Sequence, residues 1–254
     1  MPNSTLYAFI LSFLAGISTL IGALVIFFDK RKNNKIVTIS LSFAAGVMVC
    51  VSLTDLLPNS FNMILKDVRI FPRLMLTLIF LVIGIIISML IDKYLPSNYE
   101  SKDNKGLYKI GIISMVAIIM HNVPEGLATF ITSSNNLKLG LTLSLAIALH
   151  NIPEGISIAV PIYHSTNNKF KAIFYALISG MSEVLGSILA YLFLAPFINS
   201  HIMAALYAII AGIMMHISVY ELIPGAYKES TLKGVLKYFL IGFIIMIISH
   251  ILMG

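Results

Sequence analysis

Eight stretches of this chain are each apolar for about twenty residues, the length a helix needs to cross a bilayer. They lie near 6–28, 36–57, 73–91, 109–132, 137–160, 169–194, 202–223 and 234–253. Hydrocarbon offers no partner to a backbone N–H or C=O, so each stretch must bond within itself, as an α-helix. The connections are short and leave no room for an inserted soluble domain. The expectation is an all-α membrane protein, residues 1–254 forming a single polytopic domain of eight transmembrane helices. Only 11% of the residues are charged, against about 25% in a soluble domain. The net charge of +6 would suit a nucleic-acid partner in a soluble chain. Here the basic residues fall between apolar runs, so topology accounts for them and the lipid bilayer is the expected partner. The single cysteine, Cys50, excludes a disulfide framework and a thiolate-rich metal cluster. Residues 1–5 carry no Lys or Arg, and the run that follows is too long for a signal-peptide core, so it reads as a retained span.

Orientation follows from the basic residues. The connections after spans one, three, five and seven hold Lys30, Arg31, Lys32, Lys35, Lys93, Lys102, Lys105, Lys109, Lys169, Lys171, Lys228, Lys233 and Lys237. The opposite side holds only Lys66, Arg69, Arg73 and Lys138. The richer side is cytoplasmic by the positive-inside rule, which puts both termini outside the cytoplasm of a cell (inner or plasma) membrane. The longest linker, Asp92 to Tyr108, mixes Lys, Asn, Ser and Gly and reads as a mobile connection.

Spans two and seven resemble each other. Ala45-Gly46-Val47-Met48 aligns with Ala211-Gly212-Ile213-Met214, Ser52 with Ser218, and Asp55-Leu56-Leu57-Pro58 with Glu221-Leu222-Ile223-Pro224, all at an offset of 166. The two spans run in opposite directions. Spans four and five, also antiparallel, share a hexapeptide: His121-Asn122-Val123-Pro124-Glu125-Gly126 and His150-Asn151-Ile152-Pro153-Glu154-Gly155. The chain therefore reads as three plus two plus three helices, an inverted repeat of the kind that supports alternating access around a midplane site.

Each hexapeptide sets a His and a Glu four residues apart, on one helix face and one turn apart. Its proline cannot donate to the backbone ladder, which frees the carbonyl of Met120 or Leu149. Five acidic residues fall inside spans, Asp55, Glu125, Glu154, Glu183 and Glu221, and no Lys or Arg lies deep in any span. Left ionised and unpartnered, five such carboxylates would cost on the order of 10 kcal/mol. They must be protonated, hydrated or bound to a cation. His121, His150 and Glu183 fall near the centres of spans four, five and six, and small residues before Glu183 (Ser179, Gly180, Ser182) allow close helix approach. Three helices can converge on one midplane cluster of two His, two Asn and three Glu. Imidazole suits zinc, copper, iron and nickel, and carboxylate and amide oxygens suit harder ions such as manganese. A mixed N/O set without thiolate suits a carrier that must release its ion, and shared carboxylates can hold two ions side by side.

Other polar residues keep two readings open. Asn122 and Asn151 are ligands, or they cap the carbonyls that proline frees. Asp55, toward the outside, and Glu221, toward the cytoplasm, are ligands for ingress and egress, or acids snorkelling beside a helix-ending proline. His216 reaches metal or bonds across helices. His164 and His201 fall in loops and His250 near the outer end of span eight, interfacial places.

On these residues the chain resembles the ZIP (Zrt-/Irt-like) metal transporters, in particular their bacterial ZupT-type branch. The likeness runs through all eight spans and rests on the two hexapeptides, Ser179-Gly180-Met181-Ser182-Glu183-Val184, and the acidic-Leu-apolar-Pro endings of spans two and seven. It implies import of divalent metal, zinc first and iron, manganese and cobalt besides, through a binuclear midplane centre; the transported cation is the bound species and no catalytic cofactor is involved. One position would use His121, Glu125, His150 and Glu154. The other would use Asn122, Glu125, Asn151, Glu154 and Glu183, with the Glu pair bridging. It also implies an elevator-like motion of spans one, four, five and six against two, three, seven and eight, usually in a homodimer. The chain departs from eukaryotic members in lacking a His-rich segment at 92–108. The alternative from another class is an intramembrane metalloenzyme that holds a catalytic zinc with the same His/Glu pairs, but the chain has no HExxH. A metal-exporting antiporter would share the buried carboxylates without the motifs.

Overall fold

A computed structural model describes residues 3–28, 34–65, 68–94, 105–194 and 196–253. Most of the 92–108 linker, together with Lys30, Arg31, Lys32, Lys66 and Lys102, lies outside the described residues. Eight long apolar helices account for nearly all the rest: α1 (Ser4–Phe27), α2 (Asn34–Met63), α3 (Ile70–Tyr94), α4 (Gly106–Asn135), α5 (Leu137–Thr166), α6 (Lys169–Leu194), α7 (Ser200–Lys228) and α8 (Leu232–Leu252). The chain is a multi-pass membrane protein.

Asparagines punctuate the helices. Asn136 separates α4 from α5, and its side chain accepts from the Leu139 N–H, the N-cap bond that satisfies an orphan donor. Asn167 ends α5 in the left-handed conformation at φ 54°, which asparagine tolerates, and Asn168 then caps α6 by accepting from the Lys171 N–H. Asn199 does the same for α7. The α4–α5 connection is thus a single residue, and α4 and α5 form a tight antiparallel hairpin.

Both hexapeptide helices run unbroken through Pro124 and Pro153. In α2 and α7 the prolines act differently. Each helix opens into a wide π turn, Ser52–Leu56 and Ser218–Leu222, just ahead of Pro58 and Pro224. A proline ring clashes with the carbonyl four residues back and gives it no N–H, and a widened turn relieves both. Ser52 and Ser218 begin these turns, each donating its hydroxyl to the carbonyl four residues earlier, Met48 and Met214, at 2.8 Å.

Two groups of helices emerge. Helices α1, α4, α5 and α6 all pack on one another; α2 packs on α8, α3 on α7, and α2 on α7, while α2 against α5 is the main seam between the groups. Glycines set the closest crossings. Gly46 of α2 lies on the Phe239 carbonyl of α8 and Gly242 of α8 on the Phe43 carbonyl of α2. Gly212 of α7 and Gly84 of α3 meet in the same reciprocal way, on the carbonyls of Leu81 and Ile209. Small residues are what bring helices together in lipid, where apolar burial drives nothing. Helices α3 and α8 turn large side chains such as Ile79, Val82, Ile244 and Ile248 outward, as lipid-facing helices do.

Candidate metal centre

The tight hairpin decides the level of each hexapeptide residue. His121 and His150 lie nearly the same number of residues from Asn136, so they meet side by side, their ring centroids 5.9 Å apart. Glu125 sits one turn nearer the hairpin bend and Glu154 one turn farther, so the two carboxylates bracket the imidazole pair. Glu125 Oε1 is 3.1 Å from both His121 Nε2 and His150 Nε2, aligned for a hydrogen bond with His150 but not with His121. Glu154 Oε1 is 3.6 Å from His121 Nε2. One ligand atom each from His121, His150 and Glu154 lie within 4.8 Å of one another. Tetrahedral zinc with ligands at about 2.1 Å holds them roughly 3.4 Å apart, so a small contraction closes this set on an ion.

Helix α6 supplies Glu183. Gly126 of the first hexapeptide packs on the Glu183 backbone carbonyl, and Gly186 on that of Val123, which draws α6 against α4 and brings the carboxylate to the cluster. Asn151 Nδ2 donates to Glu183 Oε2 and to the Ala15 carbonyl of α1, both at 3.0 Å. Asn122 Nδ2 donates to the Ser179 carbonyl of α6 at 3.0 Å. The amide nitrogens therefore tie neighbouring helices together and do not cap Met120 or Leu149, and their oxygens are left over. All seven of these side chains are buried. Asn122 Oδ1, Asn151 Oδ1, Glu125 Oε2, both Glu154 oxygens and Glu183 Oε1 have no hydrogen-bond partner among the described residues. Each such atom costs about 1–3 kcal/mol, and among the described residues no Lys or Arg pairs with them. A divalent cation answers several at once.

Asp55 lines a cavity of about 50 Å³ together with Asn59, Glu125, His150 and Tyr207, and accepts from Asn59 Nδ2 at 2.5 Å. That cavity joins Asp55 to two residues of the cluster, Glu125 and His150. Glu221 sits at the other end, half-buried and facing Asp92, whose carboxylate pairs with Lys109 at 2.5 Å. His216 bonds across helices, its Nδ1 2.9 Å from Ser88 Oγ, and stacks on Tyr220; it is away from the cluster. His164 is buried in the last turns of α5, which runs on to Thr166, so it is in no loop. His201 lies in the first turn of α7, where its Nδ1 accepts from the Leu65 N–H.

One signal in the sequence goes unread without the structure. Residues 15–22, Ala-Gly-Ile-Ser-Thr-Leu-Ile-Gly, align with 179–186, Ser-Gly-Met-Ser-Glu-Val-Leu-Gly, at an offset of 164. The structure gives the two segments matching contacts: Ala15 and Ser179 offer the carbonyls that accept from the two hexapeptide asparagines.

The ZIP zinc-transporter family model matches residues 3–108 and 97–250. The chain is 38% identical over 262 residues to the zinc transporter ZupT of Streptococcus mutans, covering 99% of each. It is 36% identical to the ZupT of Clostridium perfringens (98% of this chain, 97% of that one) and 38% to that of Campylobacter jejuni (97% and 96%). With eight membrane-length helices and full-length likeness of this degree, the chain belongs to the ZIP family, whose members are transporters and not enzymes.

Proposed function

We propose that this protein imports divalent metal into the cytoplasm, zinc first, with iron, manganese and cobalt also accepted. One observation carries the reading: six carboxylate and amide oxygens without a hydrogen-bond partner among the described residues, buried on three helices, converge around two imidazoles, and no described Lys or Arg pairs with them. His121, Glu125, His150 and Glu154 hold one ion; Asn122, Asn151 and Glu183 hold a second beside it, the two central glutamates bridging. Asp55 receives the ion from outside and Glu221 passes it on inside. The site alternates its access as α1, α4, α5 and α6 slide against α2, α3, α7 and α8, a division supported by the single main seam between the groups and by the matched glycine crossings of α2–α8 and α7–α3. The protein works as a homodimer in the cell (inner or plasma) membrane with both termini outside the cytoplasm.

The test is zinc uptake into proteoliposomes containing the purified chain, with iron, manganese and cobalt as competitors, in vesicles of known orientation. Inward flux competed by these ions supports the proposal; flux only outward, or none, defeats it.

Two further outcomes are expected. Asn122→Ala and Glu183→Ala change the order in which competitors block zinc, or slow uptake about tenfold, without abolishing it, because each belongs to the secondary ion position. Uptake curves with paired competitors check this. Uptake also falls as the outside pH drops from about 7 to about 5, since a ligating imidazole must be neutral and protons then compete with metal. The fall should appear in the half-saturating zinc concentration more than in the maximal rate.

A further inference from the structure

The cluster has a near two-fold arrangement within one chain, and its two halves differ in charge at one residue. Exchanging α1 with α6 and α4 with α5 maps contact onto contact. Asn122 donates to the Ser179 carbonyl, and Asn151 to the Ala15 carbonyl. Gly126 packs on the Glu183 carbonyl, and Gly155 on the Thr19 carbonyl. Ser182 Oγ donates to the Ser179 carbonyl at 2.5 Å, and Ser18 Oγ to the Ala15 carbonyl at 2.6 Å. A Cβ on Gly16 would stand 3.4 Å from the Glu183 Cβ, and one on Gly180 would stand 3.1 Å from the Thr19 Cβ. Every α1 residue here is 164 positions before its α6 counterpart. Thr19 is the counterpart of Glu183.

Glu183 leaves α6 toward Asn151 and accepts from it. Carried across to the other half, the same arrangement would direct Thr19 from α1 toward Asn122. Its side chain is fully buried, and Thr19 Oγ1 has no hydrogen-bond partner among the described residues; neither does Asn122 Oδ1. A threonine deep in packed helices ordinarily returns its hydroxyl to the carbonyl of the preceding turn, and Thr19 does not. We infer that Thr19 is a further specificity-determining position of the metal centre, its hydroxyl standing on the Asn122 side where Glu183 stands on the Asn151 side. It presents one neutral oxygen to the cargo, so the two flanks differ in charge. A hard ion that seeks many oxygen ligands gains from it, and an ion content with imidazole gains less.

The inference rests on the proposed metal-binding role of the cluster, and its test separates the two. Purified wild-type chain, Thr19→Ser, Thr19→Val and Thr19→Glu are compared for equilibrium binding of zinc and manganese in detergent and for competition of the two ions in proteoliposomes. Thr19→Val keeps the shape and removes the oxygen. It is expected to shift the zinc-to-manganese preference toward zinc by about threefold or more, and Thr19→Ser to restore the wild-type ratio within about twofold. Thr19→Glu makes the flanks alike and is expected to tighten manganese binding while slowing zinc uptake, as the ion is released less readily. A loss of packing alone would lower both metals together and leave their ratio unmoved. Should Thr19→Val and Thr19→Glu both keep the wild-type ratio while Glu183→Gln changes it, the role of Thr19 is overturned and the centre stands. Wild-type chain that binds neither ion overturns the centre, and this inference with it.

Discussion

Glu154→Gln is expected to cut zinc uptake about 100-fold or more, and Glu125→Gln at least as much, with both proteins still inserted and folded. The substitution keeps the volume and one acceptor oxygen and takes away only the charge. In an effective dielectric of about 20, two unit charges 4 Å apart attract by about 4 kcal/mol, and a divalent ion doubles this before desolvation is subtracted. A net loss of about 3 kcal/mol is already about 100-fold. Glu154 has both oxygens buried and without a hydrogen-bond partner among the described residues, with only the His121 imidazole 3.6 Å from Oε1 to offset its charge. Glu125 Oε1 lies 3.1 Å from both imidazoles and would bridge two ions, so its loss disturbs both positions. Uptake of labelled zinc, normalised to reconstituted protein, measures the effect. Rates within about twofold of wild type for both variants would remove the carboxylates from the transport site.

Much of this was legible in the chain because the expensive residues advertise themselves. An acid in an apolar run has to be explained, and Glu125, Glu154 and Glu183 were found that way, as were the histidines that the hexapeptide holds one turn from them. The eight helices were legible for the same reason, since a bilayer leaves no other backbone solution. What stayed hidden are the choices made between helices. His216 has the same composition signal as a ligand, and only the packing of α3 on α7 shows that Ser88 takes its ring nitrogen. His164 looked like a loop residue because polarity rises after Pro161, yet α5 continues to Thr166, where Asn167 can adopt the left-handed turn that ends it. Asp55 looked like a residue near a span end, and the π turn at Ser52–Leu56 puts it on a cavity shared with Glu125 and His150. Thr19 gave least of all. A threonine among apolar residues costs little, so no rarity marks it, and it gains meaning only from the helix that faces it.

Gly155→Ala should be among the most damaging small substitutions in the chain. A Cβ there would overlap the Thr19 backbone carbonyl, and a carbonyl inside a helix cannot rotate away as a side chain can. Helix α1 must then back off from α5. That retreat loosens the Asn151 bond to the Ala15 carbonyl, now 3.0 Å, and with it the seating of the second hexapeptide. Overpacking of this kind costs about 1–3 kcal/mol, and Gly155→Val should exceed it and prevent folding. Gly126→Ala should behave alike, since the added Cβ meets the Glu183 carbonyl and pushes the Glu183 carboxylate away from Asn151. Gly106→Ala is the contrast: a Cβ there would meet only Lys228 Nζ, 3.9 Å away, and alanine favours a helix by about 0.5–1 kcal/mol. Thermal unfolding of the detergent-solubilised variants ranks them, with Gly106→Ala at or above wild type and Gly155→Ala and Gly126→Ala several degrees below. Zinc uptake should follow the same order, about tenfold down for the two hexapeptide glycines, because their contacts hold the proposed ligands in register as well as the helices together. If Gly155→Ala unfolds with wild type and transports with it, the close α1–α5 crossing is not what holds the site.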